Sequence, residues 1–426
     1  MSQPFDRSET AALRRDQADP LRELRARFHI PQTAARRDVH YFCGNSLGLM
    51  PRRARELLDE ECEDWRDLAV NAHFGGRRPW YSYHEQFTER GARLVGARSG
   101  EVVMMNSLTV NLHLLMVSFF RPAGARRKIL IEDRAFPSDL YAAQSQLRFH
   151  GLDPAQDLIV ARPRAGESTL RTIDLEALIH ERRDELALVL LGGVNFYSGQ
   201  LFELERVAAA AHAAGACIGY DLAHAAGNVE LRLHDWDVDF AVWCNYKYLN
   251  SGPGAIGGCF VHERHAENRE LPRFAGWWGN DPAERFRMHL IDEFVPHGAA
   301  EGWQLSNPSI FAMAPLIASL EIFDSVGMAA LRAKSMELTG YLESLVDAIA
   351  GCEILTPRSA AERGAQLSIR IPSASEEVRA QLETAGCVCD SRPPDVIRVA
   401  PVPLYNRFHD CWTFARELER IVSQRS

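Results

Sequence analysis

Lys247 stands in the stretch WCNYKYLNSGPG, residues 243–254, between Tyr246 and Tyr248, after the apolar run VDFAVWC and before a Gly/Pro-rich turn. An ammonium group is expensive to strip of water, and most lysines keep the charge in solvent while only the stem is covered. A lysine in low-dielectric surroundings is instead a nucleophile that forms an imine with an aldehyde. The chain has 48 Lys plus Arg with arginine greatly preferred, so a lysine at this place points to chemistry that a guanidinium cannot perform. A second candidate is Asp221, which ends the apolar run ACIGYD, with His224 three residues on. A carboxylate there needs a cation, and a protonated heterocyclic nitrogen would serve; an N-cap aspartate beside a packed histidine accounts for the same residues equally well. A third is the pair Ser107 and Thr109 in NSLTVNLHLL. Free N–H groups and the helix dipole favour a phosphate at such a helix start, although capping alone also explains the hydroxyls. An imine-forming lysine, an acid for a ring nitrogen and a seat for phosphate are together what pyridoxal 5'-phosphate (PLP) requires.

Elements that would position these groups can be read from the periodicity. From about residue 100, strand-like runs alternate with helical ones: EVVMMN, KILIED, DLIVARP, LALVLLGGV and ACIGYDLA, then VDFAVWC and AIGGCFVH. Such alternation predicts an α/β domain with a mainly parallel sheet covered on both faces. Ligands of open α/β sheets bind outside the carboxyl ends of the strands. Five successive strand ends carry polar or aromatic groups: Ser107 and Thr109, Phe136 to Asp139, Asn195 to Ser198, Asp221 with His224, and Tyr246 with Lys247. Before this domain, DPLRELRARFHI predicts a helix capped by Asp19 with Pro20 in its first turn, and RARELLDEECEDWRDLAV predicts an amphipathic helix. After about residue 308 a long helical stretch, broken near Gly327, leads to the strands QLSIRI and VIRVA and the helices EEVRAQLETAG and HDCWTFARELERIVSQ. The division expected is an N-terminal helical arm and loop over 1–70, a large domain over 71–307 and a smaller α+β domain over 308–426.

The chain has 426 residues, is 46% hydrophobic and 25% charged, and carries a formal net charge of -9. This balance gives no support for binding to nucleic acid or an acidic membrane. The apolar stretches fall short of the ~18 residues a membrane span needs, and the charged N-terminus is not a signal peptide. Nine scattered cysteines, without a Cys-x-x-Cys pair, suit reduced thiols in a cytoplasmic protein. No glycine-rich nucleotide loop opens a helix after the first strand, and neither a P-loop nor H-E-x-x-H is present, so no catalytic metal is expected.

The segments YFCGNSLGLMP, NSLTVNLHLLMVSFF, AFPSDLYAAQSQ, GYDLAHAAGNVELRLHDWDVDFAVWCNYKYLNSGPG, LSNPS and IRVAPVPLYN, in this order, together resemble kynureninase. The resemblance implies the aspartate aminotransferase-like fold of fold-type-I PLP enzymes. It also implies a homodimer with active sites at the interface, and hydrolysis of L-kynurenine to anthranilate and L-alanine in tryptophan catabolism or NAD precursor synthesis. By that resemblance Lys247 is the Schiff-base lysine and Asp221 faces the pyridine nitrogen. Phe136 stacks on the ring with Pro137, Ser138 and Asp139 beside it. Leu108 and Thr109 hold the phosphate, and His224 and Tyr246 lie at the cofactor. Trp277 or its neighbour Trp278, and Asn307, approach from the other subunit. Ser46, His73 and Asn307 contact the substrate, and Arg398 takes its carboxylate. Tyr246 is the candidate for proton transfer. Gly192 replaces a serine that the family can have. The resemblance leaves open the choice between kynurenine and 3-hydroxykynurenine. Two other functions compete: another fold-type-I PLP lyase such as a cysteine desulfurase, which needs a loop cysteine, and a non-catalytic PLP-binding regulator, which needs a basic DNA-reading domain.

Overall fold

The structure is a computed structural model, and it describes residues 5–266, 268, 270–372 and 375–425. Its strands are β1 (His40–Tyr41), β2 (Val102–Met104), β3 (Lys128–Glu132), β4 (Leu158–Ala161), β5 (Leu186–Gly192), β6 (Cys217–Asp221), β7 (Phe240–Cys244), β8 (Gly257–Val261), β9 (Glu353–Ile354), β10 (Leu367–Arg370), β11 (Cys387–Val388), β12 (Asp390–Arg392) and β13 (Val396–Val399). A seven-stranded sheet runs in the order β2-β8-β7-β6-β5-β3-β4. β8 is antiparallel to both neighbours, and the other pairings are parallel.

The central strands are apolar without a break because both faces are covered. Alternate residues serve different cores. Leu188 and Leu190 of β5 join Ile129, Val242 and the helices Leu108–Phe119 and Pro137–Phe149 on one face. Val189 and Leu191 join Ile218, Trp243 and the helices Leu204–Ala213 and Ile310–Val326 on the other. The register sets Gly192 beside Asp221 at the carboxyl end of the sheet. The sequence places a helix after β3 and after β5, and a helix before β3, so the strand ends open onto a common rim.

The antiparallel sheet β12-β13-β10-β9 has its own core, made with the helices Met328–Val346 and Phe408–Ser423. The helical stretch after residue 308 breaks where expected: Gly327 takes φ 81° between Ile310–Val326 and Met328–Val346. Ile310–Val326 packs with the large core. No single helix among the described residues is long and apolar enough to cross a membrane.

The N-terminal arm differs from expectation. The α-helix covers Glu9–Ala18, with Ser8 as N-cap and Asp19 as C-cap, and only a 3-10 stretch, Arg22–Arg27, follows. Asp19 accepts the N–H of Leu21 at 2.8 Å and pairs with Lys334 at 2.7 Å, so it closes a turn and does not open a helix. The first helix is tied down through Asp16, whose carboxylate accepts the N–H groups of Phe408 and His409 at 2.7 and 3.1 Å. These are orphan donors at the start of the last helix. The second expected helix is present as Ala54–Leu68. β1 then pairs in parallel with β11, which carries the following loop across to the sheet rim.

Candidate active site

The chain has three lysines. Lys128 pairs with Glu185 at 3.1 Å and Lys334 with Asp19 at 2.7 Å. Lys247 has no carboxylate partner among the described residues and is 9% exposed. It lies in a turn after β7, where Asn250 N–H closes on the Lys247 carbonyl at 3.0 Å and Asn250 takes φ 52°. The loop containing Gly48 holds this turn from outside. Gly48 N–H donates to the Tyr246 carbonyl at 2.8 Å, and a Cβ on Gly48 would meet the Lys247 carbonyl oxygen at 2.3 Å. Only glycine permits that approach.

Around Lys247 a pocket is lined by Leu108, Thr109, Glu132, Phe136, Ser138, Asp139, Gly192, Val194, Phe196, Asp221, Ala223, His224 and Tyr246. Each of the five strand ends singled out by sequence contributes at least one of these. Asp221 is buried and its Oδ1 accepts the N–H of Ala223 at 2.7 Å. Burial raises its pKa, against lowering by the hydrogen bond to Asp139 and by the charge of Lys247. Asp139 is pushed well up by burial and then by Asp221. His224 is held well below its usual range by burial, then by the charges of Lys247 and Arg398, so it is a neutral imidazole; its Nδ1 has no partner. Burial raises the Tyr246 phenol, with Cys244 adding to the rise, so Tyr246 keeps its proton near neutrality.

The helix Leu108–Phe119 begins at the pocket, and Ser107, at the N-cap position, makes no side-chain cap. Its first N–H groups are therefore available to an anion. Thr109 Oγ1 and Ser138 Oγ lie 2.9 Å apart beside them. Phe136 is 44% exposed, stands edge-on to Phe196, and has its ring centroid 5.6 Å from Lys247 Nζ. Pro137 opens the helix Pro137–Phe149 and does not line the pocket. Asn195 accepts from Tyr197 N–H, Ser198 N–H and Ser198 Oγ, so it shapes the loop that presents Phe196.

Other sequence-selected residues lie outside this pocket in the single chain. Arg398 is fully buried, not a surface ion pair. Its Nε donates to Asp390 Oδ1 at 2.7 Å, its Nη2 to Asp390 Oδ2, and its Nη1 to the Phe196 carbonyl at 2.7 Å. It thus reaches the pocket through Phe196. His73 packs edge-on to Trp80 at 5.5 Å, and Glu61 fixes that segment by accepting from Arg78, Trp80 and Tyr83. Trp277 is 37% exposed whereas Trp278 is 2% exposed. Asn307 and Ser46 are exposed. Ser46 sits in Gly44-Asn45-Ser46-Leu47-Gly48, which matches G-x-S-x-G in letters. It is not a nucleophile elbow, because the helix that follows Ser46 does not start until Ala54.

Glu132 was not singled out by sequence, although its signal was the same as that of Asp221: an acid closing an apolar strand, KILIE beside CIGYD.

Comparison with known proteins bears on this geometry. The C-terminal domain model of kynureninase matches residues 331–418. Kynureninases of Koribacter versatilis (strain Ellin345) and Myxococcus xanthus (strain DK1622) are each 54% identical to the chain, over 97% of both sequences. The kynureninase of Salinispora tropica is 55% identical, again over 97% of both.

The chain belongs to the kynureninase family.

The chain shares its fold with more distant solved structures. The cysteine desulfurase of Thermococcus onnurineus NA1 superposes with a TM-score of 0.74 at 20% identity, over 91% of this chain and 95% of that one. A cysteine desulfurase of Escherichia coli gives 0.75 at 16%, over 95% and 98%. A C-DES mutant with glycine covalently linked to its PLP cofactor gives 0.74 at 16%, over 89% and 96%. These likenesses establish the α/β fold-type-I architecture. Of the C-terminal cysteines, burial pushes Cys352 up to about 11 and Cys387 up to about 12, and raises Cys389 and Cys411 well above the usual thiol range. Their thiolates are disfavoured.

Proposed function

We propose that the protein is a PLP-dependent enzyme that hydrolyses the Cβ–Cγ bond of L-kynurenine, and of 3-hydroxy-L-kynurenine, giving anthranilate or 3-hydroxyanthranilate and L-alanine. The observation that carries this is the unpaired Lys247 in the pocket shared with Asp221, in a chain of this family. The residues present fit PLP. An amine without an ion pair is available to the aldehyde, and a buried acid to the ring nitrogen. An uncapped helix start with Thr109 and Ser138 suits the phosphate, and Asp139 Oδ1 and His224 Nδ1 are both unpartnered.

When bound, PLP supplies an aldehyde that captures the substrate amine and a ring that accepts electrons released at Cα. Lys247 Nζ then takes the Cα proton and later returns a proton to the product. Asp221 holds the proton on the ring nitrogen, which keeps the ring electron-poor. Phe136, which lines the pocket beside Lys247, would pack against the ring. Tyr246 gives or takes the proton as water adds to the side-chain ketone and the carbon–carbon bond breaks. Arg398 takes the substrate carboxylate with whatever N–H capacity Asp390 and Phe196 leave to it.

Asn307, His73, Ser46 and Trp277 fit a site completed by a second copy of the chain, so we read the enzyme as a homodimer. The exposed rings of Phe74, Phe286 and Trp277, in contact with Tyr81 and Trp278, support a buried surface there. The large domain over 71–307 and the small one over 308–426 would close around the site, with Ile310–Val326 joining them. Cytoplasmic residence and a place in tryptophan catabolism follow from the same reading. Mixing purified holoenzyme with each substrate and following kynurenine absorbance and anthranilate fluorescence tests it. Loss of substrate with equimolar L-alanine is expected; sulfide from L-cysteine with no attack on kynurenine would replace this reading by the desulfurase one.

A further inference from the structure

Glu132 ends β3 at 3% exposure and lines the same pocket as Asp221, Asp139 and Lys247. Its Oε1 accepts the N–H of Gly192 at 3.1 Å. A Cβ on Gly192 would stand 2.9 Å from that oxygen, so the bare backbone at 192 is what gives the carboxyl its place in the wall. No lysine, arginine or histidine pairs with Glu132 among the described residues. Among the described residues the charged and titratable groups sharing its pocket are Asp221 at the end of β6, Asp139 on the helix Pro137–Phe149, Tyr246 and Lys247 after β7, and His224 on the turn after β6. Three acids therefore share one ammonium in a water-poor pocket, and three negative charges cannot persist there. Burial pushes Glu132 up to about 7, with Asp221 adding to the rise and the Gly192 N–H opposing it.

We propose that Glu132 is a positioning residue held as the neutral acid, whose carboxyl O–H is the hydrogen-bond donor of the pocket wall where Gly192 offers no side chain, and whose ionisation turns the wall against the anionic cofactor. This rests on the roles given above to Lys247 and Asp221.

The sign follows from linkage. An acid raised in the folded state costs nothing below its unfolded pKa, and its penalty grows as pH rises through the window up to its folded value. Apoenzyme stability should therefore fall as pH rises from the unfolded carboxyl range toward neutrality and level off above it, while PLP affinity should fall as pH rises through and past neutrality. Glutamine keeps a neutral donor at every pH; leucine keeps the volume and removes the donor.

The test uses apoenzyme, with PLP dissociation constants from tryptophan quenching and melting curves taken from about pH 6 to about pH 8.5. Glu132→Gln should bind PLP within about 3-fold of wild type at the acid end and lose roughly 10-fold less affinity on going to the alkaline end. Its apo melting temperature should fall less than that of wild type over the same range. Glu132→Leu should bind PLP about 10-fold or more weakly even at the acid end. Infrared spectra of wild type with isotope-labelled glutamate give a readout that needs no variant: a protonated glutamic acid carbonyl band should be present at the acid end and vanish at the alkaline end. Identical pH profiles for wild type and Glu132→Gln, an unaffected Glu132→Leu, or no such band would overturn the proposal. Wild type that takes up no PLP at all would instead sink the roles of Lys247 and Asp221.

Discussion

Gly48→Ala tests how the catalytic lysine is held. The added Cβ would sit 2.3 Å from the Lys247 carbonyl oxygen, 2.3 Å from Asn250 Oδ1 and 2.8 Å from Asn250 Cα. Ordinary contact begins near 3.4 Å, so the two loops must part by about 1 Å. Two of the three obstacles are backbone atoms, and rotation of the Asn250 side chain relieves only the third. Parting the loops stretches the 2.8 Å bond from Gly48 N–H to the Tyr246 carbonyl. Overpacking of this kind costs about 1–3 kcal/mol, and loss of the hydrogen bond about 1 kcal/mol more. A displacement of a catalytic group by about 1 Å lowers turnover by roughly 100-fold. The assays are thermal unfolding, PLP absorbance and kcat on kynurenine. A melting temperature lower by several degrees, PLP still bound and kcat down by roughly two orders of magnitude are expected. Wild-type kcat with wild-type stability would show that the Gly48 loop does not hold Lys247.

Three further outcomes follow from the same geometry. If Asn307 serves the partner's pocket, inactive Lys247→Ala and inactive Asn307→Ala should regain about one quarter of wild-type activity when co-refolded, since half the dimers are mixed and each has one intact site; no recovery would place both residues in one chain's site. Arg398→Ala should raise KM for kynurenine far more than the PLP dissociation constant, and Tyr246→Phe should keep PLP while lowering kcat by about 100-fold or more; unchanged KM or kcat would remove the respective role. Asp410, fully buried, is held well below the usual carboxylate range: burial opposes this, but the hydrogen bond to His40 and the charges of Arg407 and Arg25 prevail. Asp410→Ala, which strands those cations, should destabilise by about 3–5 kcal/mol near neutrality. Because the folded-state pKa is depressed, that contribution is complete above the unfolded value of about 4 and shrinks as pH falls below it. A denaturant titration showing the same difference at about pH 7 and about pH 3 would refute the assignment.

The strand ends were legible because a parallel sheet buried on both faces leaves a plain pattern: an apolar run, then an abrupt polar residue. Asp221, Lys247 and Thr109 were found that way, and the break at Gly327 by glycine after a long apolar helix. Glu132 carries the same pattern, but a Glu-Asp pair after KILI reads as the start of a solvated loop; only the space left by Gly192 shows why its carboxyl turns inward. The first helix leaves little trace in sequence for another reason. Glu9–Ala18 buries only Ala12 of its own length, so it has little apolar periodicity, and its hold on the protein comes from Asp16 capping a helix nearly 400 residues away. Around Arg398, sequence shows no sign of Asp390, eight residues before it on the neighbouring strand, which takes its Nε and Nη2 donors and leaves the remaining N–H groups for a ligand. Such cross-strand and interchain partners leave no local trace in sequence.

The most direct measurement is to reduce the PLP-loaded enzyme with borohydride and map the modified peptide. With three lysines in the chain, the outcome is discrete. The account predicts a phosphopyridoxyl group on Lys247 alone and loss of turnover in proportion to labelling. A label on Lys128 or Lys334, or an enzyme that cleaves kynurenine while resisting the label, would contradict it.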